Sequence, residues 1–163
     1  MFKKKICMLG SVAVGKTSLV RQFVESMFSE KYLTTVGVKI DQKLIDVDDA
    51  KAMLMLWDIE GVDDTHAFQP AYLRGASGYF LVCDGLRGST LDDCIYIQEQ
   101  VQATLGELPF YLLLNKADRE SEWTLDAARV AELEASGWRT LRTSAMTGAN
   151  VEQAFADLTR AML

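Results

Sequence analysis

Cysteine, proline and histidine are scarce in this chain, numbering three, two and one among 163 residues. The cysteines, Cys7, Cys83 and Cys94, are odd in number, widely spaced and outside any CxxC arrangement, which argues against a disulfide framework. Two lie in apolar runs, so buried free thiols in a reducing cytoplasm are expected. Pro70 and Pro109 are the only prolines, and no linker, repeat or low-complexity tract interrupts residues 1–163, which read as one domain. No apolar stretch approaches the roughly twenty residues needed to cross a bilayer. The run Lys3 to Lys5 precedes only a short apolar segment, unlike a signal peptide. Phe2 excludes N-myristoylation, and the ending Arg160 to Leu163 lacks a prenylatable cysteine, so the chain carries no direct membrane anchor. A net charge of −6 leaves no field to draw it to nucleic acid or anionic lipid. Lys3 to Lys5 then read as the solvated start of a first strand. A soluble cytoplasmic protein is the expectation.

What is present is an alternation of short apolar runs with helix-period segments. Ile6 to Leu9, Ala52 to Trp57, Tyr79 to Cys83 and Phe110 to Leu114 read as buried strands, and Val38 to Val47 as a more exposed one. Asp48-Asp49 between two of these makes a hairpin turn. Helical patterns span Lys16 to Ser26, Leu91 to Leu105, Leu125 to Ala135 and Val151 to Met162, and Arg139 to Arg142 fits a short strand. Continuous apolar strands separated by helices predict an α/β domain of three layers, with about six strands, mostly parallel, in one sheet.

The first strand runs into Gly10-Ser11-Val12-Ala13-Val14-Gly15-Lys16-Thr17, followed by Ser18. This is the G-x-x-x-x-G-K-[ST] loop, whose backbone N–H groups wrap a phosphate at a helix N-terminus. Lys16 adds a point charge to the β- and γ-phosphates, and the Thr17 hydroxyl a ligand for Mg²⁺. The loop specifies a nucleoside triphosphate without its base. The base is read by Asn115-Lys116-Ala117-Asp118, at the end of the Phe110 run. Asp118 can accept two hydrogen bonds from N–H groups on one edge of guanine, and adenine offers no such pair. Asn115 can brace the phosphate loop, and the Lys116 stem can lie along the base. A third segment, Thr143-Ser144-Ala145-Met146, follows the last short strand. A metabolic kinase or ATPase would require the Asn115 to Asp118 loop to be a coincidence.

Together these loops resemble those of the Ras superfamily of small GTPases, and more closely its Rab-like branch. The resemblance covers nearly the whole chain. It implies the P-loop NTPase fold of a small G-domain, a six-stranded sheet with one antiparallel edge strand, and about five helices. It also implies a guanine-nucleotide switch binding Mg²⁺ with GTP or GDP and hydrolysing GTP. Phe28 resembles the aromatic packed against guanine. Tyr32 to Gly37 resembles the first switch, with Thr35 giving its hydroxyl to Mg²⁺ and its N–H to the γ-phosphate. Trp57-Asp58-Ile59-Glu60-Gly61 resembles W-D-x-x-G, with Asp58 holding Mg²⁺ through water and the Gly61 N–H sensing the γ-phosphate. Tyr72 to Gly78 is similar to the Rab segment ending the second switch. Loops 28–38 and 58–75 would then recruit effectors, with exchange-factor and GTPase-activating proteins as further partners.

The pattern also breaks. Val62 stands where the family has a glutamine that orients the attacking water, so unaided hydrolysis should be slow. No arginine lies between Arg21 and Arg74, so the first switch offers no arginine finger of its own. Glu60 replaces a small residue, and could turn to solvent, repel the γ-phosphate or position water. Asp63 and Asp64 make the segment acidic, and Met146 replaces a lysine beside the base while Ala145 N–H remains to meet the guanine carbonyl. His66, the lone histidine, is read as an exposed loop residue rather than a catalytic base. The absent lipidated tail fits either a trimmed chain or a soluble, prokaryotic member. These departures keep a second reading open, a hydrolysis-deficient pseudo-GTPase that serves as a nucleotide-locked scaffold.

Overall fold

Period-two alternation along the first apolar run builds the centre of the molecule. Strand β1, Phe2–Gly10, sends Ile6 and Met8 to one face and Cys7 and Leu9 to the other, all with almost no exposure. The computed structural model describes residues 1–26, 37–62 and 69–163. Phe28, Thr35, Asp63, Asp64 and His66 therefore lie outside the described residues, as does Tyr32 to Val36 of the first-switch segment.

Six strands form one sheet: β1, β2 (Val38–Val47), β3 (Ala50–Ile59), β4 (Gly78–Asp84), β5 (Phe110–Asn115) and β6 (Thr140–Thr143), in the order β2-β3-β1-β4-β5-β6. Every pairing is parallel except β2 with β3, which is antiparallel and leaves β2 at an edge. The two are joined by Asp48-Asp49, with Asp48 left-handed at φ 54, a conformation that a short polar side chain tolerates. Solvent on one face explains the imperfect alternation of β2, where Ile40 and Leu44 are exposed.

Helices α1 (Lys16–Glu25) and α4 (Val151–Met162) cover one face, where Phe23 and Phe155 stack at 3.8 Å and Phe80 meets Phe155 edge-on at 4.9 Å. Helices α2 (Thr90–Leu105) and α3 (Ala127–Ala135) cover the other through Leu91, Ile97, Val101 and Val130. The fold is the three-layer small G-domain of P-loop NTPases. Of the helices expected, four α-helices occur among the described residues, with two short 3-10 segments at Pro70–Leu73 and Ala117–Glu122. Helix α3 starts two residues later than the apolar pattern implied, because Asp126 caps it by accepting from Ala128 N–H at 3.0 Å. None of the described helices is long and apolar enough to cross a membrane.

Candidate functional site

A parallel sheet gathers the carboxyl ends of its strands at one edge, and the loops beyond them converge there. At that edge β1 ends in Gly10, β3 delivers Asp58, β4 ends in Asp84, β5 in Asn115 and β6 in Thr143. Four of these carry buried polar side chains in an otherwise apolar sheet: Asp58 is 0% exposed, Asp84 1%, Asn115 2% and Thr143 0%. Buried polar groups persist where they are partnered, so the edge is organised for chemistry rather than packing.

The loop after β1 turns through Ala13, left-handed at φ 65, and Gly15 at φ 107, before α1 begins at Lys16. Gly15 has to be glycine for a second reason, since a Cβ there would lie 2.2 Å from Asn115 Nδ2. The Lys16 ammonium folds back over the loop, donating to Ser11 O at 2.8 Å and Gly10 O at 3.3 Å. Burial lowers its pKa to about 8, an effect the Asp58 charge partly offsets. An anion cradled by the loop would restore the partner such a cation wants. The Thr17 hydroxyl donates to Asp58 Oδ2 at 2.6 Å, placing two hard oxygen donors side by side at the mouth of α1. That pair suits a small divalent cation that keeps several waters and borrows phosphate oxygens. Among the described residues no cluster of three or more His, Cys, Asp or Glu forms a larger metal cage.

The residues after β3 lie directly on this loop. Val12 N–H donates to Val62 O at 3.1 Å, and Val62 N–H to Gly10 O at 3.1 Å. A Cβ on Gly61 would stand 2.5 Å from Val12 N, so only glycine allows this approach. The Val62 side chain is partly buried and packs against the core face that holds Cys7 and Leu9. Glu60, for which exposure to solvent was one expectation, is partly buried, and its N–H donates to Gly37 O at 2.7 Å.

The second loop is joined to the first through Asn115. Its Nδ2 donates to Val14 O at 2.9 Å, and its Oδ1 accepts from Thr143 Oγ1 at 3.2 Å. Asp118 Oδ1 accepts from Ser144 Oγ at 2.7 Å, which orients the carboxylate. Ala145 is buried, with its carbonyl accepting from Gln22 Nε2 at 2.9 Å, whereas Met146 is 51% exposed. Lys116 is left-handed at φ 70, and its ammonium goes to Asp84 Oδ2 at 2.7 Å. The structure thus brings Gly10, Ser11, Ala13, Val14, Lys16, Thr17, Ser18, Asp58, Gly61, Asn115, Lys116, Asp118 and Ser144 to one end of the sheet.

Several polar residues there were not singled out in the sequence. Asp84 ends the apolar run Gly78 to Cys83, and a carboxylate closing a fully buried strand was the signal available. Arg87, Asp93 and Gln22 gave none, since each reaches the nucleotide loops across at least 75 positions of sequence.

This is the architecture of a phosphate-loop nucleotide domain, with a second loop braced against the phosphate loop through Asn115. Sequence comparison agrees: residues 5–163 match the Ras family. Over 168 aligned positions the chain is 32% identical to GTP-binding protein YPTC5 of Chlamydomonas reinhardtii, covering 96% of this chain and 80% of that protein. Ras-related protein Rab-13 of Canis lupus familiaris is 32% identical, covering 98% and 79%. Ras-related protein Rab-8B of Homo sapiens is 31% identical, covering 96% and 76%. The chain belongs to the Ras family and is a small GTPase of Rab type.

Proposed function

We propose that this protein is a guanine-nucleotide switch whose unaided GTP hydrolysis is slow and whose GTP form recruits an effector. The observation that carries the reading is the meeting of the Gly10 to Ser18 loop, the Thr17–Asp58 pair and the Asn115 to Met146 groups at one sheet edge. The loop amides and Lys16 hold the phosphates. Asp118 accepts from guanine, Lys116 lends its stem, Ser144 and Ala145 close the base edge, and Phe28 and Met146 flank the base. Thr17, Thr35 and, through water, Asp58 would hold Mg²⁺, which neutralises phosphate charge when bound.

Slow hydrolysis follows from Val62. Its side chain has no hydrogen-bonding group and sits against the core, so it does not orient water. A regulator would have to supply both water orientation and charge. Effector recruitment is supported by the surface beside the second switch, where Ile40, 45% exposed on edge strand β2, stands opposite Trp57 in the β2–β3 register. A nucleotide-locked scaffold is the second reading, favoured by the two backbone bonds that tie Val62 to the phosphate loop.

Single-turnover hydrolysis of bound GTP, for wild type beside Val62→Gln, tests the proposal. A slow wild type with a faster variant supports a regulated switch. A wild type and variant both inert favour the scaffold. Brisk turnover by wild type refutes the role given to Val62.

A further inference from the structure

The turn between β4 and α2 touches both nucleotide loops, although neither motif includes it. Its geometry is fixed: Arg87 N–H donates to Asp84 O at 2.9 Å, and Arg87 O accepts from Thr90 N at 2.9 Å and Thr90 Oγ1 at 2.7 Å. The turn is also tied to the base-loop segment. Thr124 N–H donates to Gly85 O at 2.9 Å, Gly88 N–H donates to Thr124 Oγ1 at 2.9 Å, and the Trp123 indole donates to Lys116 O at 2.9 Å.

From this rigid turn the Arg87 guanidinium points two ways. Nη2 donates to Val12 O in the phosphate loop at 2.8 Å, and Nε donates to Asp84 Oδ2 at 3.0 Å. That same carboxylate oxygen accepts from the Lys116 ammonium of the base loop, and its other oxygen accepts from Leu86 N–H at 2.9 Å. The adjoining residue of the loop is held by the same stretch of chain, with Ser11 Oγ donating to Asp93 Oδ2 at 2.5 Å. A planar guanidinium can serve the carbonyl and the carboxylate at once, which an ammonium on a flexible stem cannot do as well. Fixing the Val12 carbonyl fixes the peptide plane it shares with the Ala13 N–H, one of the loop amides.

We propose that Arg87 is a positioning residue for the nucleotide phosphates, anchored on Asp84 and holding the phosphate loop in its binding shape through Val12 O. This rests on the guanine-nucleotide reading above. It assigns Arg87 no contact with the reacting atoms.

The test is the affinity of GDP and of GMP, each measured by displacement of a fluorescent GDP, for wild type, Arg87→Ala and Arg87→Lys. Arg87→Ala should weaken GDP about tenfold, the size of one charge-assisted hydrogen bond at a half-exposed site. GMP, which lacks the β-phosphate, should change by less than about twofold. Arg87→Lys keeps a cation beside Asp84 and should fall between, which also serves if the alanine variant does not fold. GDP and GMP weakening together would show a merely structural role and overturn the proposal, as would GDP affinity unchanged in both variants. A wild type that binds no GDP would sink the functional reading and this inference with it. A wild type that binds while both variants match it sinks the inference alone.

Discussion

Replacing Asn115 by alanine should separate the two nucleotide loops. The side chain is 2% exposed and makes two bonds, donating to Val14 O at 2.9 Å and accepting from Thr143 Oγ1 at 3.2 Å. Each buried hydrogen bond contributes about 1 kcal/mol net, and the unfilled space beneath Gly15 adds a further term, for a total of about 2–4 kcal/mol. In a domain of this size that lowers the melting temperature by roughly 5–15 °C. The loss should be larger for the nucleotide complex than for the stripped protein, because the phosphate loop is the part released. Asn115→Asp keeps the volume but turns a carboxylate oxygen toward the Val14 carbonyl, and should be no better than alanine. Urea unfolding with and without excess GDP measures both terms. An alanine variant within about 0.5 kcal/mol of wild type in both conditions would refute the claim that Asn115 carries the coupling.

Gly61→Ala should destabilise the chain by about 1–3 kcal/mol, since the new Cβ would lie 2.5 Å from Val12 N and 2.6 Å from Ser11 C, both backbone. Thermal melting checks this, and a change under about 0.5 kcal/mol would contradict the observed closeness. Alkaline pH should also act through the buried thiols. Burial pushes the Cys7 and Cys83 thiols up to about 12, so the folded chain keeps those protons where the unfolded chain releases them. Their contribution is complete below the unfolded value near 9 and falls as pH rises towards 12. The urea midpoint of Cys83→Ala should then decline less than that of wild type from about pH 8 to about pH 10, and equal declines would refute it.

Elements were legible wherever hydrophobic periodicity follows burial. Val38–Val47 and Val151–Met162 occur at the bounds their patterns imply. β1 begins four residues before its apolar run because Lys3 to Lys5 are paired along β3 despite their charge. Lys5 is accommodated by laying its ammonium over the Trp57 ring at 3.4 Å and donating to Arg74 O at 2.7 Å. The phosphate and base loops were legible because each is a contiguous motif fixed by local backbone geometry. Arg87 and Asp93 were not, because their contacts to Val12 and Ser11 exist only once β4 lies beside β1 and α2 covers them. The packing of Val62 against the core was likewise invisible, since a valine in a motif position reads the same whatever it touches.

Guanine reading is the role proposed here for Asp118. Guanine offers that carboxylate two N–H donors, whereas xanthine replaces one of them with a carbonyl oxygen. An Asp118→Asn amide can donate to that oxygen while accepting from the remaining N–H. The deciding measurement is displacement of fluorescent GDP by GDP, XDP and ADP, for wild type and Asp118→Asn. Wild type should prefer GDP over XDP and ADP by at least about a hundredfold, and the variant should reverse the preference towards XDP. A wild type displaced equally by ADP, or a variant that keeps its preference for GDP, would contradict that role.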